Sequence, residues 1–189
     1  LLKALNQFPK GRIIIYCGTR KKCKEWASFI KGSQKKVAYY HAGLSAERRT
    51  NIEERYQNGK IRILVATNAF GMGIDHSDVR LVVHTQMPGN IESYYQEVGR
   101  AGRDGLESTC LMLYAKKDRA LHAFFIKMAK TAARVIEGRW KSLDQIVAYS
   151  ESFKCRHLDI LNYFKDPVEF KKCGHCDMCS PSSSRKVKA

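Results

Sequence analysis

The chain has 189 residues, 44% hydrophobic and 28% charged, a balance typical of a globular protein with one full domain and a small appendage. Its 34 Lys and Arg outnumber 18 Asp and Glu, and the resulting net charge of +16 favours a polyanionic partner such as nucleic acid over a merely basic surface. The apolar runs are too short to cross a bilayer and no signal peptide is seen, so we expect a cytoplasmic (bacterial) or nuclear protein with no membrane partner.

From residue 12 to about 115 the sequence alternates between predicted strands and helices. Short runs rich in β-branched or aromatic residues predict strands at 12–17, 37–40, 62–67, 80–85 and 109–115. Helical patterns lie between them at 20–31, 45–58 and 90–101. This alternation predicts an α/β fold with a mostly parallel sheet flanked by helices. The segments CGTRK, HAGLS and TNAFGMGIDH then fall at the carboxyl ends of strands, where such folds bind ligands.

Strand patterns stop after residue 116, and the next segments are helical in pattern, at 116–130, 138–152 and 155–166. The last stretch, SPSSSRKVKA, is rich in serine and basic residues, and we expect it to be disordered. The sequence therefore predicts a first domain over 1–115, a helical subdomain over 116–179 and a disordered tail over 180–189.

Two sets of residues are expected to serve core packing alone. The predicted helix at 90–101 has an apolar stripe at helical spacing, made of Ile91, Tyr94, Tyr95 and Val98. This pattern favours packing of both tyrosines over stacking on nucleic-acid bases. Three cysteines lie in or beside predicted core elements, and we expect Cys17, Cys23 and Cys110 to be small buried hydrophobic residues.

The other cysteines form a C-x17-C-x2-C-x2-C pattern of Cys155, Cys173, Cys176 and Cys179. Seven cysteines in a chain without a signal peptide indicate thiols or a metal rather than disulfides. Four thiolates at this spacing suit tetrahedral zinc in a closed, structural site. An iron–sulfur cluster is the alternative, but its motif needs a fourth cysteine three residues on and before a proline, whereas Ser180 and Pro181 follow Cys179 at once. His157 and His175 are substitute ligands that we expect to be bystanders.

The segment YYQEVGRAGRDG, residues 94–105, places Arg100 and Arg103 at the end of an apolar helix. The neighbouring glycines, Gly99, Gly102 and Gly105, let an anion approach the backbone closely. Arginine grips phosphate with a planar, permanently charged group. The segment therefore predicts a phosphate contact, although an RNA-binding Gly/Arg loop has a similar composition.

Several segments together resemble the later motifs of superfamily 2 helicases in order and spacing. They are YCGTR, YYHAGLS, ILVATNAFGMGIDHSDVRLVVH and SYYQEVGRAGRDG. Three of the strings, AFGMGID, GRAGRDG and CRHLDILNYF followed by CGHCDMC, resemble the RecQ family of ATP-dependent DNA helicases. The resemblance covers essentially residues 11 to 179. It implies the second of two RecA-like lobes, followed by a zinc-binding subdomain.

The resemblance also implies roles for individual residues. Gln96, Arg100 and Arg103 match the motif that reaches the γ-phosphate of ATP, with Arg103 at the position of the arginine finger. Gly73 and Asp75 match the motif that couples nucleotide to DNA. The DNA phosphate track is matched by Thr19, Arg20, His41, Gly43 and Thr67. Two of these have simpler explanations, a hydrogen-bonding turn residue for His41 and a helix cap for Thr67.

The implied protein is a helicase that binds single-stranded or forked DNA and uses ATP hydrolysis to unwind DNA, 3′ to 5′, in repair and recombination. Its cofactors are structural Zn²⁺ and, in the two-lobe enzyme, ATP and Mg²⁺. No G-x-x-x-x-G-K-[ST] loop and no Asp-Glu pair for magnesium is found here. We therefore expect the first lobe upstream of Leu1, and we expect this chain alone not to hydrolyse ATP.

Two other interpretations stay open at this point. One is a non-enzymatic, zinc-stabilised module that binds nucleic acid, and the other is an interaction scaffold that uses its basic face to bind a partner protein.

The sequence departs from the helicase motif directly after Asp75. His76 and Ser77 replace the Lys-Pro that commonly follows this aspartate, so no lysine contact is predicted there.

Overall fold

A computed structural model describes residues 1–70 and 76–180. Its strands are β1 (Arg12–Tyr16), β2 (Val37–Tyr40), β3 (Ile63–Ala66), β4 (Val79–His84) and β5 (Thr109–Met112). Its helices are α1 (Leu2–Gln7), α2 (Arg20–Lys31), α3 (Ala46–Gln57), α4 (Ile91–Val98), α5 (Asp118–Met128), α6 (Ala133–Glu151) and α7 (Arg156–Tyr163).

The sequence located every strand but missed two helical segments. Helix α1 was not predicted, and α6 begins at Ala133 rather than at residue 138. Neither helix has a side-chain hydrogen bond at its N-cap, where Leu1 and Ala132 stand. Without a Ser, Thr, Asp or Asn cap, the sequence contains no local signal for either start.

Within the described residues, the five strands form one sheet in the order β2-β3-β1-β4-β5. Every neighbouring pair is parallel, including the register pairs Ile13–Ile63, Ile14–Val82 and Leu81–Thr109. The predicted α/β fold with a mostly parallel sheet is therefore confirmed. Parallel pairing directs the carboxyl ends of all these strands to one edge of the sheet.

The central strands are buried on both faces, which explains their continuous apolar sequences. Alternate residues of β1 contribute to different clusters, with Ile13 and Ile15 on one face and Ile14 and Tyr16 on the other. Helices α1 and α2 cover the first face through Leu5, Cys23, Ala27 and Ile30. Each fully buried Ile, Leu or Val contributes about 1.5–3 kcal/mol, so the double-sided core supplies most of the stability.

The chain divides into two compact units. The first comprises Leu1–Pro88 and Glu92–Leu121, and the second comprises Gly89–Ile91 with the described residues from His122 onward. The division lies inside α5, later than the predicted boundary at residue 116. No helix in the described ranges combines the length and apolar character needed to cross a membrane. The predicted tail over 180–189 lies outside the described residues apart from Ser180.

Arg12 connects β1 to the end of α3 and to Asp78, the residue before β4. Its Nε donates to Tyr56 O at 3.0 Å, its Nη2 donates to Gln57 O at 2.7 Å, and its Nη1 pairs with Asp78. The guanidinium also lies 5.6 Å from the centre of the Tyr56 ring. These bonds satisfy carbonyls at the end of α3 and fix that end to the start of β1.

Replacing Arg12 by methionine, which keeps much of the aliphatic stem, should lower the free energy of unfolding by about 1–3 kcal/mol, because Gln57 O loses its donor from Arg12 and Asp78 loses its ion-pair partner. Urea denaturation followed by far-ultraviolet circular dichroism measures this change. Lys10→Met is the control, since Lys10 is exposed nearby and its change should stay within about 0.5 kcal/mol. Equal effects of the two substitutions would contradict the role of Arg12.

Candidate functional site

The loops after β1, β2 and β3 meet at the carboxyl edge of the sheet. Adjacent loops are joined through the backbone, since Cys17 N donates to Ala66 O at 2.8 Å and Thr67 N donates to Tyr40 O at 3.1 Å. This edge carries all five residues matched to the DNA track, namely Thr19, Arg20, His41, Gly43 and Thr67. These two bonds join residues 49 and 27 positions apart in sequence, which become neighbours because three parallel strands pair.

Thr19 and Gly43 each have a structural role in the loops at this edge. Thr19 is the N-cap of α2, and its hydroxyl accepts a hydrogen bond from Lys22 N at 3.2 Å. A Cβ at Gly43 would lie 2.8 Å from Nη1 of Arg20, so glycine makes room for that guanidinium. Thr67 precedes a turn in which Phe70 N donates to Thr67 O, and no described helix begins there. Thr67 is therefore not the helix cap that was considered.

His41 is 3% exposed, and neither ring nitrogen has a hydrogen-bond partner among the described residues. The turn bond at this position uses its backbone, because Leu44 N donates to His41 O at 3.0 Å. Burial lowers the pKa of His41, and the cations Lys24, Arg20 and Arg48 lower it further. Three basic side chains thus act on a buried imidazole whose neutral form is favoured. Of the three, the sequence predicted a role for Arg20 but not for Lys24 or Arg48.

A groove of about 650 Å³ lies in the first unit. It is lined by Asn68, Phe70, Ser93, Tyr95, Gln96, Glu97, Gly99, Arg100 and Arg103. The structure thus brings Gln96, Arg100 and Arg103 together, as their positions at the end of α4 predicted. Gly73 and Asp75, the other two residues matched to nucleotide binding, lie outside the described residues.

The glycine–arginine loop is held in a defined conformation. Gly102 has a φ of +64°, and a Cβ there would lie 2.5 Å from the Ser108 hydroxyl oxygen and 3.1 Å from Leu106 O. Only glycine fits this position without strain. The next residue, Arg103, is exposed, and its Nε donates to Gly99 O at 3.1 Å. The loop therefore presents Arg103 at the groove.

Arg80 anchors the same loop to β4. Its Nη2 lies 2.5 Å from both carboxylate oxygens of Asp104 and also donates to Ser77 O, while Nη1 donates to Glu107 O. The hydrogen bond from Arg80 lowers the pKa of the Asp104 carboxyl. Because the aspartate stays ionised, the loop remains attached to the sheet over the neutral pH range.

A buried polar pair holds α4 against the sheet. His84 Nε2 and Glu97 Oε2 are 2.7 Å apart, and the His84 ring stacks on Tyr16 at 5.2 Å and meets the Tyr94 ring edge-on at 5.1 Å. Burial raises the pKa of Tyr16, whereas Arg100, which hydrogen-bonds to that side chain, lowers it. Arg100 is thereby connected to β1, next to the pair.

The predicted apolar stripe of α4 is wrong at one position. Tyr95 is 47% exposed and lines the groove, whereas Tyr94 and Ile91 are buried as predicted. Glu97, a residue that periodicity assigns to solvent, is 9% exposed. The helix turns its carboxylate inward because His84 provides a partner on β4. A sequence signal for this pair did exist, in a histidine that follows directly after the apolar run 81–83 of β4.

The second unit contains the cysteine cluster. The sulfur atoms of Cys155, Cys173, Cys176 and Cys179 all lie within 4.8 Å of one another. Cys155 Sγ accepts from Cys173 N at 3.3 Å, and Cys176 Sγ accepts from Arg156 N at 3.4 Å. Burial alone would raise the pKa of Cys155, but N–H groups of Leu158 and Cys173 and neighbouring thiols lower it to about 6. These N–H groups therefore stabilise the thiolate form of Cys155.

This donor set fits a zinc ion in a closed tetrahedral site, with four sulfur ligands and no open position. Arg156 reinforces it, since Nε lies 3.0 Å from Asp177 Oδ1 and Nη1 donates to Tyr149 O at 2.6 Å. The arginine thus connects the cysteine loop to the end of α6, as outer residues do around metal ligands.

The prediction that the remaining three cysteines are buried is correct for two of them. Cys17 and Cys23 are 5% and 0% exposed, as predicted. Cys110 is exposed, contrary to the prediction, because β5 is one of the two edge strands of the described sheet and its first two residues are open to solvent. An apolar strand pattern does not tell an edge strand from a central one.

Comparison with known proteins identifies both units. Residues 1–105 match the family model described as the helicase conserved C-terminal domain, and residues 116–180 match the model described as RecQ zinc-binding. The ATP-dependent DNA helicase RecQ of Bacillus subtilis is 40% identical over 86% of this chain, which spans 28% of that relative. The ATP-dependent helicase SGS1 of Saccharomyces cerevisiae is 37% identical over 95% of this chain, which spans 13% of it.

Among solved structures, a DEAD box protein from Methanococcus jannaschii superposes with a TM-score of 0.55 and 27% identity, over 69% of this chain and 36% of that one. The chain spans about a third or less of the length of the curated relatives it matches. The sheet is thus the RecA-like fold of helicase lobes. The chain belongs to the helicase conserved C-terminal domain family and is of the RecQ type, in which a RecQ zinc-binding domain follows.

Proposed function

We propose that this chain is the second RecA-like lobe and zinc-binding subdomain of an ATP-dependent DNA helicase that binds single-stranded or forked DNA and couples ATP hydrolysis to DNA unwinding. The main observation that supports this proposal is the groove in the first unit, which is lined by Gln96, Arg100 and Arg103. Unwinding from 3′ to 5′, work in DNA repair and recombination, and a bacterial cytoplasmic or nuclear location follow from the RecQ relationship as parts of the proposal.

The two arginines that line the groove have different roles in this proposal. Arg100 is connected to Tyr16 inside the lobe and, with Glu97 nearby, holds the end of α4 in place. Arg103 is exposed at the tip of the turn and acts as the arginine finger, because its guanidinium can approach a phosphate bound by a facing lobe. Gln96 supplies a neutral donor and acceptor beside them. The first lobe, with its phosphate loop and Mg²⁺ ligands, completes the ATP site.

The basic loops at the sheet edge contact the DNA backbone in this proposal. Arg20 is exposed beside Gly43, while Lys24 and Arg48 are the other cations around His41. Thr19 and Thr67 add polar groups at the ends of the neighbouring strands. Contacts of this kind read phosphates and not bases, as a motor that moves along any sequence requires. Gly73 and Asp75 stay predicted as the residues that couple nucleotide to DNA.

Arg103→Ala should reduce DNA-stimulated ATP hydrolysis by about 10³-fold or more, because charge on the transferred phosphoryl group loses its stabilising cation. The measurement uses the complete helicase polypeptide that contains this chain, and the chain alone should show no hydrolysis. Arg55→Ala is the matched control, since Arg55 is exposed on α3 and does not line the groove. DNA binding without any hydrolysis in the complete protein would instead favour a non-enzymatic binding module.

Lys24→Ala and Arg48→Ala should each weaken binding of a single-stranded oligonucleotide and reduce the slope of log affinity against log salt by about 0.7, because one phosphate contact is lost. Fluorescence anisotropy over a range of salt concentrations measures both quantities. Lys31→Ala removes an equal charge from the far end of α2 and should leave the slope unchanged. A slope that falls equally in all three variants would show a diffuse charge effect.

Cys176→Ser should abolish tight zinc binding and unfold the second unit, while the sheet of the first unit stays folded, because structural zinc contributes folding free energy. Zinc content by mass spectrometry and amide hydrogen exchange of each unit test this. Cys110→Ser serves as the control, since that cysteine is exposed on β5 and lies outside the cluster. A Cys176→Ser chain that keeps its zinc and its exchange protection would disprove the ligand set.

A further inference from the structure

A second group of metal-binding side chains lies next to the four cysteines. The donor atoms of His157, Cys173 and His175 all lie within 4.8 Å of one another. His157 is the second residue of α7, two positions after Cys155, and His175 lies between Cys173 and Cys176 in the loop. The two imidazole rings have their centres 4.6 Å apart and are nearly perpendicular, at 84°. The fold thus gathers three donors that the sequence spreads over 19 positions.

The loop conformation accounts for this arrangement. Gly174 separates the two loop donors and has a φ of +82°, a left-handed conformation that glycine adopts without strain. Its position has open space around it, since no atom lies within 4 Å of a Cβ built there. Cys173 thereby belongs to both groups, with Cys155, Cys176 and Cys179 on one side and the two histidines on the other.

Two imidazoles and a thiolate suit zinc and similar divalent transition metals. Tetrahedral ligands at roughly 2.0–2.3 Å from a metal lie roughly 3.3–3.8 Å from one another. The observed separations of up to 4.8 Å therefore need to close by about 1 Å. Both histidines are exposed, so rotation about their side-chain bonds accomplishes this without disturbing packing.

Electrostatics favours a cation at this place once the tetrathiolate centre is filled. Four thiolates around one Zn²⁺ leave a net negative charge, and a metal-bound thiolate retains lone pairs for a second metal. The neighbouring cations Lys171, Lys172 and Arg156 oppose this, and Asp177 pairs with the last of them. Binding here should therefore be weaker than binding to the four cysteines.

We propose that His157, Cys173 and His175 form a second divalent transition-metal site, which shares the Cys173 thiolate with the four-cysteine centre and keeps one coordination position open to solvent. The site is independent of the helicase function proposed above. Its open position distinguishes it from the closed zinc site, because it leaves room for an exchangeable water or an external ligand.

Cobalt titration of the zinc-loaded chain tests the proposal. An untagged chain, passed over a chelating resin without oxygen, should retain about one zinc, because the closed site binds tightly. Added Co²⁺ should then bind in about one equivalent while the zinc stays. A thiolate-to-cobalt charge-transfer band should accompany the visible bands of four-coordinate cobalt, because Cys173 is a ligand.

His157→Asn and His175→Asn should each weaken cobalt binding by about tenfold or more, with unchanged zinc content and melting temperature. His122→Asn is the control, because His122 is a histidine of the same unit that belongs to neither donor group, and it should bind cobalt like the parent. Two separate histidine variants keep the test valid if one of them folds poorly.

Four results would overturn the proposal. They are a chain that carries no zinc after purification, the absence of a thiolate charge-transfer band, an unchanged band in both histidine variants, and release of zinc in step with cobalt uptake. The last of these would show that cobalt merely exchanges into the four-cysteine centre.

Discussion

Parallel pairing of β2, β3, β1 and β4 is the constraint on which the rest of the first unit depends. Since parallel strands end at the same edge, every loop that follows one of them lies at the carboxyl edge of the sheet. The basic residues around His41 reach that edge from separate parts of the chain. The apolar, double-sided burial of the strands supplies the stability, so the loops at their ends are free to carry polar and charged groups that the core would exclude.

A buried pair of polar side chains positions helix α4 against the sheet. His84, at the end of β4, lies 2.7 Å from Glu97, and its ring packs against the rings of Tyr16 and Tyr94. A buried carboxylate needs a partner, and removal of either one would leave the other uncompensated. The pair therefore fixes the rotation of α4, which in turn points Gln96, Arg100 and Arg103 toward the groove. Arg80, bonded to Asp104, fixes the following loop in a similar way.

The second unit is organised around sulfur instead of a large apolar core. Its buried hydrophobic side chains are few, and the described ones on its helices are Ile126 on α5, Leu143, Ile146 and Tyr149 on α6, and Ile160 on α7. The cysteine loop closes against α7 through N–H···S bonds and the Arg156–Asp177 pair. Small units with limited apolar burial commonly need a metal to fold. The cysteine spacing and the structure give consistent reasons for a structural zinc.

The sequence by itself determined the fold class, the five strands, the cysteine cluster and the clustering of Arg100 with Arg103, because hydrophobic periodicity and short spacings are local properties. Only the tertiary structure decided that β5 is an edge strand of the described sheet, and hence that Cys110 is exposed. It also decided that Glu97 is buried and Tyr95 exposed, since a partner on another strand outweighs helical periodicity. The convergence of His157 and His175 on Cys173 likewise depends on how α7 meets the loop, a contact between distant segments that no local pattern encodes.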